Sequence, residues 1–561
     1  MSTRPEIRPV IGIDLGTTNC ALAYSESDTV EAFLIPQLVR PGEVREEPLL
    51  PSFLFVEEPP IVGVLAQRKG LENPGRLVSS AKSWLSYAGV DRTAAILPVT
   101  APEGVSKVSP VDASSAYLKF LKDAWNEKHA DSPFEAHDVL VTVPASFDPV
   151  ARDLTQRAAE AAGFGNLVLL EEPQAAFYAW IAQNPDWREL VAVGDLILVI
   201  DVGGGTTDFA LIQVEEDAGQ VSLRRIAVGD HILLGGDNID AALAHHVGGA
   251  FPKLDAMQMH SLNQHCRLAK ERLLAEDNQD SQLPITILGR GSSVIGKSMK
   301  ATLTRADVVS ILTDGFLPAV AFDEEPEEQG AAISEFGLPY ASDAAITRHL
   351  AHFLRRQSAS PTHVLFNGGV FLAPFLRDRI IEILNGWLAK PVTPLISGDL
   401  MRSVARGAAY YGRVRQGEGV RVRGGVPHSY YIGIEAAAPA VPGRAKPFKA
   451  LTVVPFGMEE GTGHELADRQ FVLNVGKRAQ FRFFRSTERT QDAAGSLIDE
   501  IESLEELLPV EVLLPSEVSE SVRVTLESRV TETGMLELWF VSRDGRRWKL
   551  EFNVRPKKPR A

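Results

Sequence analysis

Residues 198–213 read LVIDVGGGTTDFALIQ. An apolar run from Leu196 to Ile200 ends in Asp201, three glycines follow at Gly203, Gly204 and Gly205, and Thr206, Thr207 and Asp208 precede a return to apolar residues at Phe209. The pattern predicts a buried strand, a tight turn and a second strand. Glycines let backbone N–H groups approach an anion with no Cβ in the way. Two hydroxyls and two flanking carboxylates suit phosphate together with a hard divalent cation. A glycine-rich hairpin would explain this stretch equally well if it stood alone. It does not, because residues 11–19, IGIDLGTTN, repeat the grammar: Asp14 closes an apolar strand, Gly16 turns, and Thr17 and Thr18 follow. A repeat of this kind reads as a duplicated half-domain, with two turns facing one phosphate cleft.

The chain has 561 residues, enough for two or more domains. Its 45% hydrophobic and 23% charged content is that of a globular protein, and a net charge of −16 speaks against nonspecific nucleic-acid binding. Cys20 and Cys266 are the only cysteines, too few for a disulfide scaffold and without metal-ligand spacing. Neither a signal core nor a run of about 18 apolar residues occurs, so no membrane partner and a cytoplasmic location are expected.

Along the chain, residues 36–52 read as loop. Lys82 lies in SSAKSWL at the start of a short helical pattern, and Ser109-Pro110 opens a longer helix. A strand at residues 139–143 ends at Pro144, residues 149–163 are helical with Gly163 as a stop, and a strand at 167–170 leads into Glu171, Glu172 and a helix over 174–180. Strands alternating with helices predict an α/β sheet. A GGDN turn is expected before a helix that starts near Ile239. A third glycine turn, Gly368-Gly369, follows a strand at 364–366, and VARGAAYY at 404–411 is a small-residue helix suited to close packing.

Gly291, Gly296, Lys297 and Ser298 spell a Walker A string. That motif requires a helix immediately after its loop. Here the residues after Ser298 read as a strand, and Thr304 reads as the N-cap of a helix from Arg305, so a hairpin is expected instead. Residues 414–426 read as a Gly/Arg-rich linker, and beyond them the period becomes two, with Asp544-Gly545 as a turn signal. Residues 427–561 are therefore expected to form an antiparallel β domain, interrupted by a helical spacing at Leu497, Ile501, Leu504 and Leu508.

Taken together, the motifs resemble the heat-shock-70 (DnaK-type) chaperone family. They are IGIDLGTTN, VTVPASFDPVARDLTQRAAEAAGF, LEEPQAAFYAW, DVGGGTTDFAL, GDHILLGGDNID, AKERL and NGGVFLAP, in that order. The resemblance implies an α/β actin-like, two-lobed ATPase domain over residues 1–413, built of duplicated ribonuclease-H-like halves. A linker at 414–426 and a β-sandwich-like substrate-binding domain without a helical lid would follow. ATP or ADP and Mg²⁺ are the implied cofactors. Asp14, Glu172 and Asp201 would hold Mg²⁺ through waters and position the attacking water. Lys82 matches the catalytic lysine, and Thr206 would lie near the γ-phosphate. Gly16, Thr17, Thr18, Gly203, Gly204 and Gly205 would contact phosphates, and Lys270, Gly368 and Gly369 would approach the adenosine. Pro144 and Arg152 match the family's relay between domains.

The chain also departs from the family. Leu372 stands where an arginine usually stacks on the base, Val370 and Leu274 replace small hydroxyl residues, and the linker lacks the usual apolar-acidic run. The implied function is a slowly ATP-hydrolysing chaperone for an extended polypeptide, with a co-chaperone or exchange factor as further partner. The alternatives are a nucleotide-switched actin-fold scaffold with little turnover and, less well matched, a small-molecule kinase.

Overall fold

The computed structural model describes residues 8–553 apart from 27–28, 88, 166, 218–219, 231, 289–297, 328–337, 339, 418, 424–425, 427, 436–447, 460, 487–488, 490, 500, 508–509, 517 and 532–534. The chain divides into two compact units, residues 1–421 and 422–561.

In the first unit, the two apolar runs that precede the glycine turns form the central strands of two mixed sheets. Val10–Leu15 pairs in parallel with Asp138–Val143, which pairs in parallel with Leu167–Glu171; on its other side it pairs antiparallel with Asn19–Ser25. Leu196–Val202 repeats this order: parallel to His363–Asn367, which is parallel to Thr393–Leu395, and antiparallel to Thr207–Asp217. The repeated grammar in the sequence is thus a repeated strand order. Both central strands are buried along their length, as expected of strands covered on both faces.

Helices fill in around each sheet. Pro110–Lys128 begins with a capping box, in which the Ser109 hydroxyl accepts from the Asp112 N–H at 3.0 Å. Its inward stripe, Ala113, Tyr117, Leu118, Leu121 and Trp125, joins the core of the first sheet. Pro149–Ala161 stops before Gly163, whose φ of +84° suits a residue without Cβ. Ser403–Arg415 lies against Val10–Leu15 so closely that a Cβ on Gly12 would sit 2.3 Å from the Ala405 carbonyl oxygen. A Cβ on Gly407 would sit 1.7 Å from the carbonyl oxygen of Ala175, in the helix that carries Glu172. Small residues are required there because backbone meets backbone.

Some expectations need correction. Residues 36–52 are not a plain loop: Ile35–Arg40 and Glu43–Glu47 pair as a hairpin. Its buried side chains, Ile35, Gln37 and Val39, alternate with exposed ones, so a buried glutamine and a proline obscured the pattern. The helix after the GGDN turn starts at Gly236 rather than near Ile239, so the turn is its first turn. The Walker A string has no helix after it. Its residues 289–297, with Lys297, lie outside the described residues, but Ser298–Thr304 is a strand paired antiparallel with Gln282–Leu288. Thr304 then caps the Arg305–Ser310 helix.

The second unit is antiparallel throughout its described pairings. Thr462–Val475, Glu520–Val530, Met535–Ser542 and Arg547–Asn553 form one sheet. Ser429–Glu435, Phe448–Val454 and Phe483–Ser486 are the centre of another. Tyr430, Leu451, Leu473, Val524, Leu526 and Leu538, from both sheets, meet in one core. The helical spacing at 497–508 is not a helix. Leu497–Ile498 and Glu505–Glu506 are edge strands joined through a short 3₁₀ turn at Ile501–Ser503. Ile498, Ile501 and Leu504 cover Tyr431, Ala450 and Phe484, so their spacing reflects a turn lying over a sheet; Leu508 lies outside the described residues.

Gly407→Ala tests the backbone contact. It should lower the stability of the chain by about 3 kcal/mol or more, as overpacking against an unyielding carbonyl does. Urea unfolding followed by circular dichroism measures it; a loss below about 0.5 kcal/mol would mean that the helix yields freely.

Candidate functional site

Both glycine turns open into one cleft of about 880 Å³. In the first, the Ser52 hydroxyl donates to the Gly16 carbonyl at 2.7 Å. In the second, the Gly203 N–H donates to the Thr206 carbonyl at 2.9 Å. The turns touch. A Cβ on Gly204 would lie 1.9 Å from Oγ1 of Thr18, and one on Gly205 would lie 2.5 Å from Oγ of Ser83 and 2.9 Å from Cγ2 of Thr17. Gly204 is therefore required by Thr18 of the first turn, and Gly205 by Ser83 and Thr17. The third turn tucks in from the side: Gly368 has φ +90°, and a Cβ there would be 2.2 Å from the Val202 carbonyl oxygen.

Asp14, Gly16, Thr17, Thr18, Lys82, Glu172, Asp201, Gly203, Gly204, Thr206, Lys270, Gly368 and Gly369 all line the cleft. Gly205 does not; it is packed behind the wall against Ser83 and Thr17. Pro144 and Arg152 are also absent from the lining. Arg152 is buried, donating to the carbonyls of Ala145 and Phe147, both at 2.9 Å, and pairing with Glu171 at 3.2 Å. Arg225 meets the same Glu171 at 2.7 Å.

At the centre of the cleft Lys82 pairs with Glu172, both buried. Asp14 accepts from the Thr142 hydroxyl at 3.3 Å, Asp201 from the Asn367 amide at 2.7 Å, and Asp208 from the Ser146 hydroxyl at 2.7 Å. Glu172, Asp14 and Asp208 thus act on one ammonium, and Asp201 lies close enough to all three to feel their charge. Burial pushes Asp14 up to about 7, helped by Glu172 and opposed by Lys82 and the Thr142 hydroxyl. Burial likewise raises Asp208 to about 6 and Glu172 above its usual range, and lifts Asp201 well above it, with the charge of Glu172 adding to the burial. Burial works against the Lys82 ammonium, but Glu172 and Asp14 outweigh it and hold its pKa above the ordinary lysine value. The excess is negative, and a cation relieves it. Among the described residues no three His, Cys, Asp or Glu side chains gather closely enough to ligate a metal directly. Carboxylate oxygens such as these are donors that suit a hard divalent ion.

The other end of the cleft is different in kind. Lys270 is bound to Asp240 at 2.7 Å, and Arg267 to Asp237 and Asp240. Leu274, Val370, Leu372, Leu376 and Met401 supply apolar wall, with Leu372 49% exposed. Reading the sequence singled out neither Asn367, which holds Asp201, nor Asp237 and Arg267. Asn367 immediately precedes the third glycine turn, which was its only signal; Asp237 and Arg267 find each other across 30 residues with none.

Residues 10–317 match the family model described as Hsp70 protein. The chain belongs to the Hsp70 family. It is 30% identical over 309 residues to a protein named Chaperone protein HscA homolog from Bordetella pertussis, covering 53% of this chain and 45% of that one. It is 26% identical over 431 residues to Heat shock protein hsp-6 from Caenorhabditis elegans, covering 73% of this chain and 58% of that one. The chain thus spans about half the length of the curated relatives it matches. Hsp70 membership implies the actin-like ATPase fold, in keeping with the two mixed sheets. The matched region holds every cleft residue named above up to Leu274, whereas Asn367, Gly368 and Leu372 lie beyond it.

Asp14 makes the charge excess measurable. Its pKa rises from an ordinary 3.8 to about 7 on folding, so the folded chain binds the extra proton between those values. Stability from this group is complete below about pH 4 and lost as the pH climbs through about 7. Without nucleotide or metal, Asp14→Asn should therefore gain on the unsubstituted chain in thermal unfolding as the pH is raised from 5 to 8. A difference between the two that stays flat over that range would show that the charge is not desolvated.

Proposed function

We propose that the chain binds ATP or ADP with Mg²⁺ in this cleft, hydrolyses ATP slowly, and couples the nucleotide state to the binding of an extended polypeptide by residues 422–561. The observation that carries the reading is the meeting of Thr18 with Gly204 beside the buried Lys82–Glu172 pair. It brings the N–H groups and hydroxyls of two glycine turns to one cleft, with a cation and a set of acids at its centre. Neither a plain hairpin nor a structural ion pair calls for that combination.

In this reading the two mixed sheets are the cores of two lobes, and the nucleotide lies between them. The backbone N–H groups of residues 16–18, Gly204 and Thr206 would donate to phosphate oxygens, as those of glycine turns do, while the Gly203 N–H is kept by the Thr206 carbonyl and Gly205 lies behind the wall. Thr206 stands at the γ-phosphate. Lys82 offsets negative charge that gathers on the phosphoryl group during in-line attack by water. Asp14, Glu172 and Asp201 would hold Mg²⁺ through waters and orient the attacking water, and a cation there would offset the burial that raises their pKa values. Mg²⁺ supplies charge stabilisation across the phosphates. Lys270, Gly368 and Gly369 border the adenosine, and Leu372 and Val370 offer it an apolar surface. The antiparallel sheets of the second unit hold the client by strand-like contacts. A co-chaperone or exchange factor would act on this cycle. Cys20 and Cys266 are unpaired and buried, which suits the cytoplasm, and no described helix is long and apolar enough to cross a membrane.

The exposed Leu372 in place of a stacking cation favours one second reading. A weakly held base suits a scaffold that uses nucleotide as a switch, with little turnover and a dedicated protein partner on the second unit. Phosphate release from the full chain, with and without an unfolded polypeptide, separates the two. Lys82→Ala or Thr206→Ala should reduce release by about a hundredfold or more, and Lys297→Ala should leave it near the starting value. Turnover that an unfolded polypeptide does not change, in a chain that does not bind it, would favour the scaffold.

A further inference from the structure

The helix that carries Lys82, Ala81–Ser86, has an unusual start. Ser80, at its N-cap, has a left-handed backbone, φ +52°, a conformation that side chains other than Gly, Asn and Asp rarely adopt. A serine at an N-cap ordinarily turns its hydroxyl onto the N–H groups of its own helix. Ser80 makes no such bond. Its hydroxyl donates instead to Oδ2 of Asp237, 157 residues away, at 2.7 Å.

Asp237 is itself fixed to the second glycine turn. Its N–H donates to the Gly204 carbonyl at 2.7 Å, and the preceding Gly236 N–H donates to the Gly203 carbonyl at 3.0 Å. Its other carboxylate oxygen is held by Arg267, which also binds Asp240. On the near side, Ser80 accepts the Ser83 N–H at 3.0 Å, so its backbone anchors the first turn of the lysine helix. A chain of bonds therefore runs from Gly204 through Asp237 and Ser80 to the residue that carries the ammonium. An uncommon backbone conformation next to a lysine of the cleft, together with a cap bond given up for a bond to a residue 157 positions away, marks a constraint that the local helix does not need.

We propose that the Ser80–Asp237 bond is a positioning strut, setting the place of Lys82 against the second glycine turn so that the ammonium meets the phosphoryl group being transferred. Ser80 touches no substrate and acts through Lys82. The inference rests on the hydrolytic reading above.

Ser80→Gly removes the hydroxyl while suiting the left-handed backbone, so it keeps the fold. With the full chain and Mg·ATP, its single-turnover hydrolysis should fall about tenfold while the nucleotide dissociation constant moves less than about threefold, since misplacement of a catalytic group costs rate more than binding. Its melting temperature should not drop. Ser80→Asn tolerates the same backbone and offers an amide N–H to Asp237; it should recover at least about a third of the lost rate. A Ser80→Gly chain with the original rate, or one that loses affinity and rate by the same factor, overturns the strut. An unsubstituted chain that binds Mg·ATP and never hydrolyses it takes down the hydrolytic reading and the strut together; hydrolysis undiminished by Ser80→Gly takes down the strut alone.

Discussion

The site depends on the place where Thr18 meets Gly204. The two turns, from different sheets, can come this close only because Gly204 lacks a Cβ: the space one would need is already filled by the hydroxyl of Thr18. The turns inherit their positions from two central strands, each buried and each fixed by a parallel neighbour on one side and an antiparallel neighbour on the other. Register then does the rest. Asp14 and Asp201 are each the penultimate residue of their strand, so the same pairing that buries the strand delivers a carboxylate to the cleft.

That delivery creates an electrostatic problem the protein alone only partly solves. Lys82 neutralises one acid. Asn367, Thr142 and Ser146 each offer a hydrogen bond to one of the others, and such bonds lower a carboxylate's pKa without cancelling its charge. The raised values of Asp14, Glu172, Asp201 and Asp208 measure what is left over. Such groups are relieved by taking up a proton or by a nearby cation, and raised carboxylates gathered in a cleft are a common mark of a functional site. Elsewhere a buried acid has cationic partners of its own: Glu171 lies between the guanidinium groups of Arg152 and Arg225.

Much of this was legible in the sequence, and for a local reason. Strand, turn and carboxylate lie within about ten residues of one another in both glycine turns, so periodicity and turn chemistry reveal them directly. The Ser109 and Thr304 caps are equally local. The strand after the Walker A string was legible because a helix start at Thr304 leaves no room for one at Ser298. Lys82 was not legible from its surroundings, since SSAKSWL resembles any short surface helix; only the family pattern picks it out, and only the fold brings it to Glu172, 90 residues away. Asn367, Asp237 and Arg267 depend on contacts between distant segments, to which local patterns are blind. The hairpin at Ile35–Glu47 reads as loop, and the turn over Tyr431 as either a small helix or an ordered loop, for the opposite reason. Their side-chain patterns are local but imperfect, with a buried glutamine in one and helix-like leucine spacing in the other.

The two ends of the cleft are built on different principles, and this bears on how far family membership carries. The end proposed for the phosphates is made of turn backbone and of buried charge, and Asp14 and Asp201 are placed there by strand register, Lys82 and Glu172 by the first turns of two helices. The end proposed for adenosine is made of side chains on the Ala256–Leu274 helix and of Val370 and Leu372 after Gly368, which unlike Gly368 are not pressed against a strand carbonyl. Arg267 and Lys270 spend their charge on Asp237 and Asp240, and Leu274, Val370 and Leu372 present hydrocarbon. A base placed among them gains apolar contact, whereas the phosphates meet a concentration of donors and charge. Binding energy in such a cleft is weighted toward the reacting end, where it acts on the transition state as well as the ground state. Divergence at the base end can therefore loosen the grip on the nucleoside while leaving the hydrolytic geometry intact.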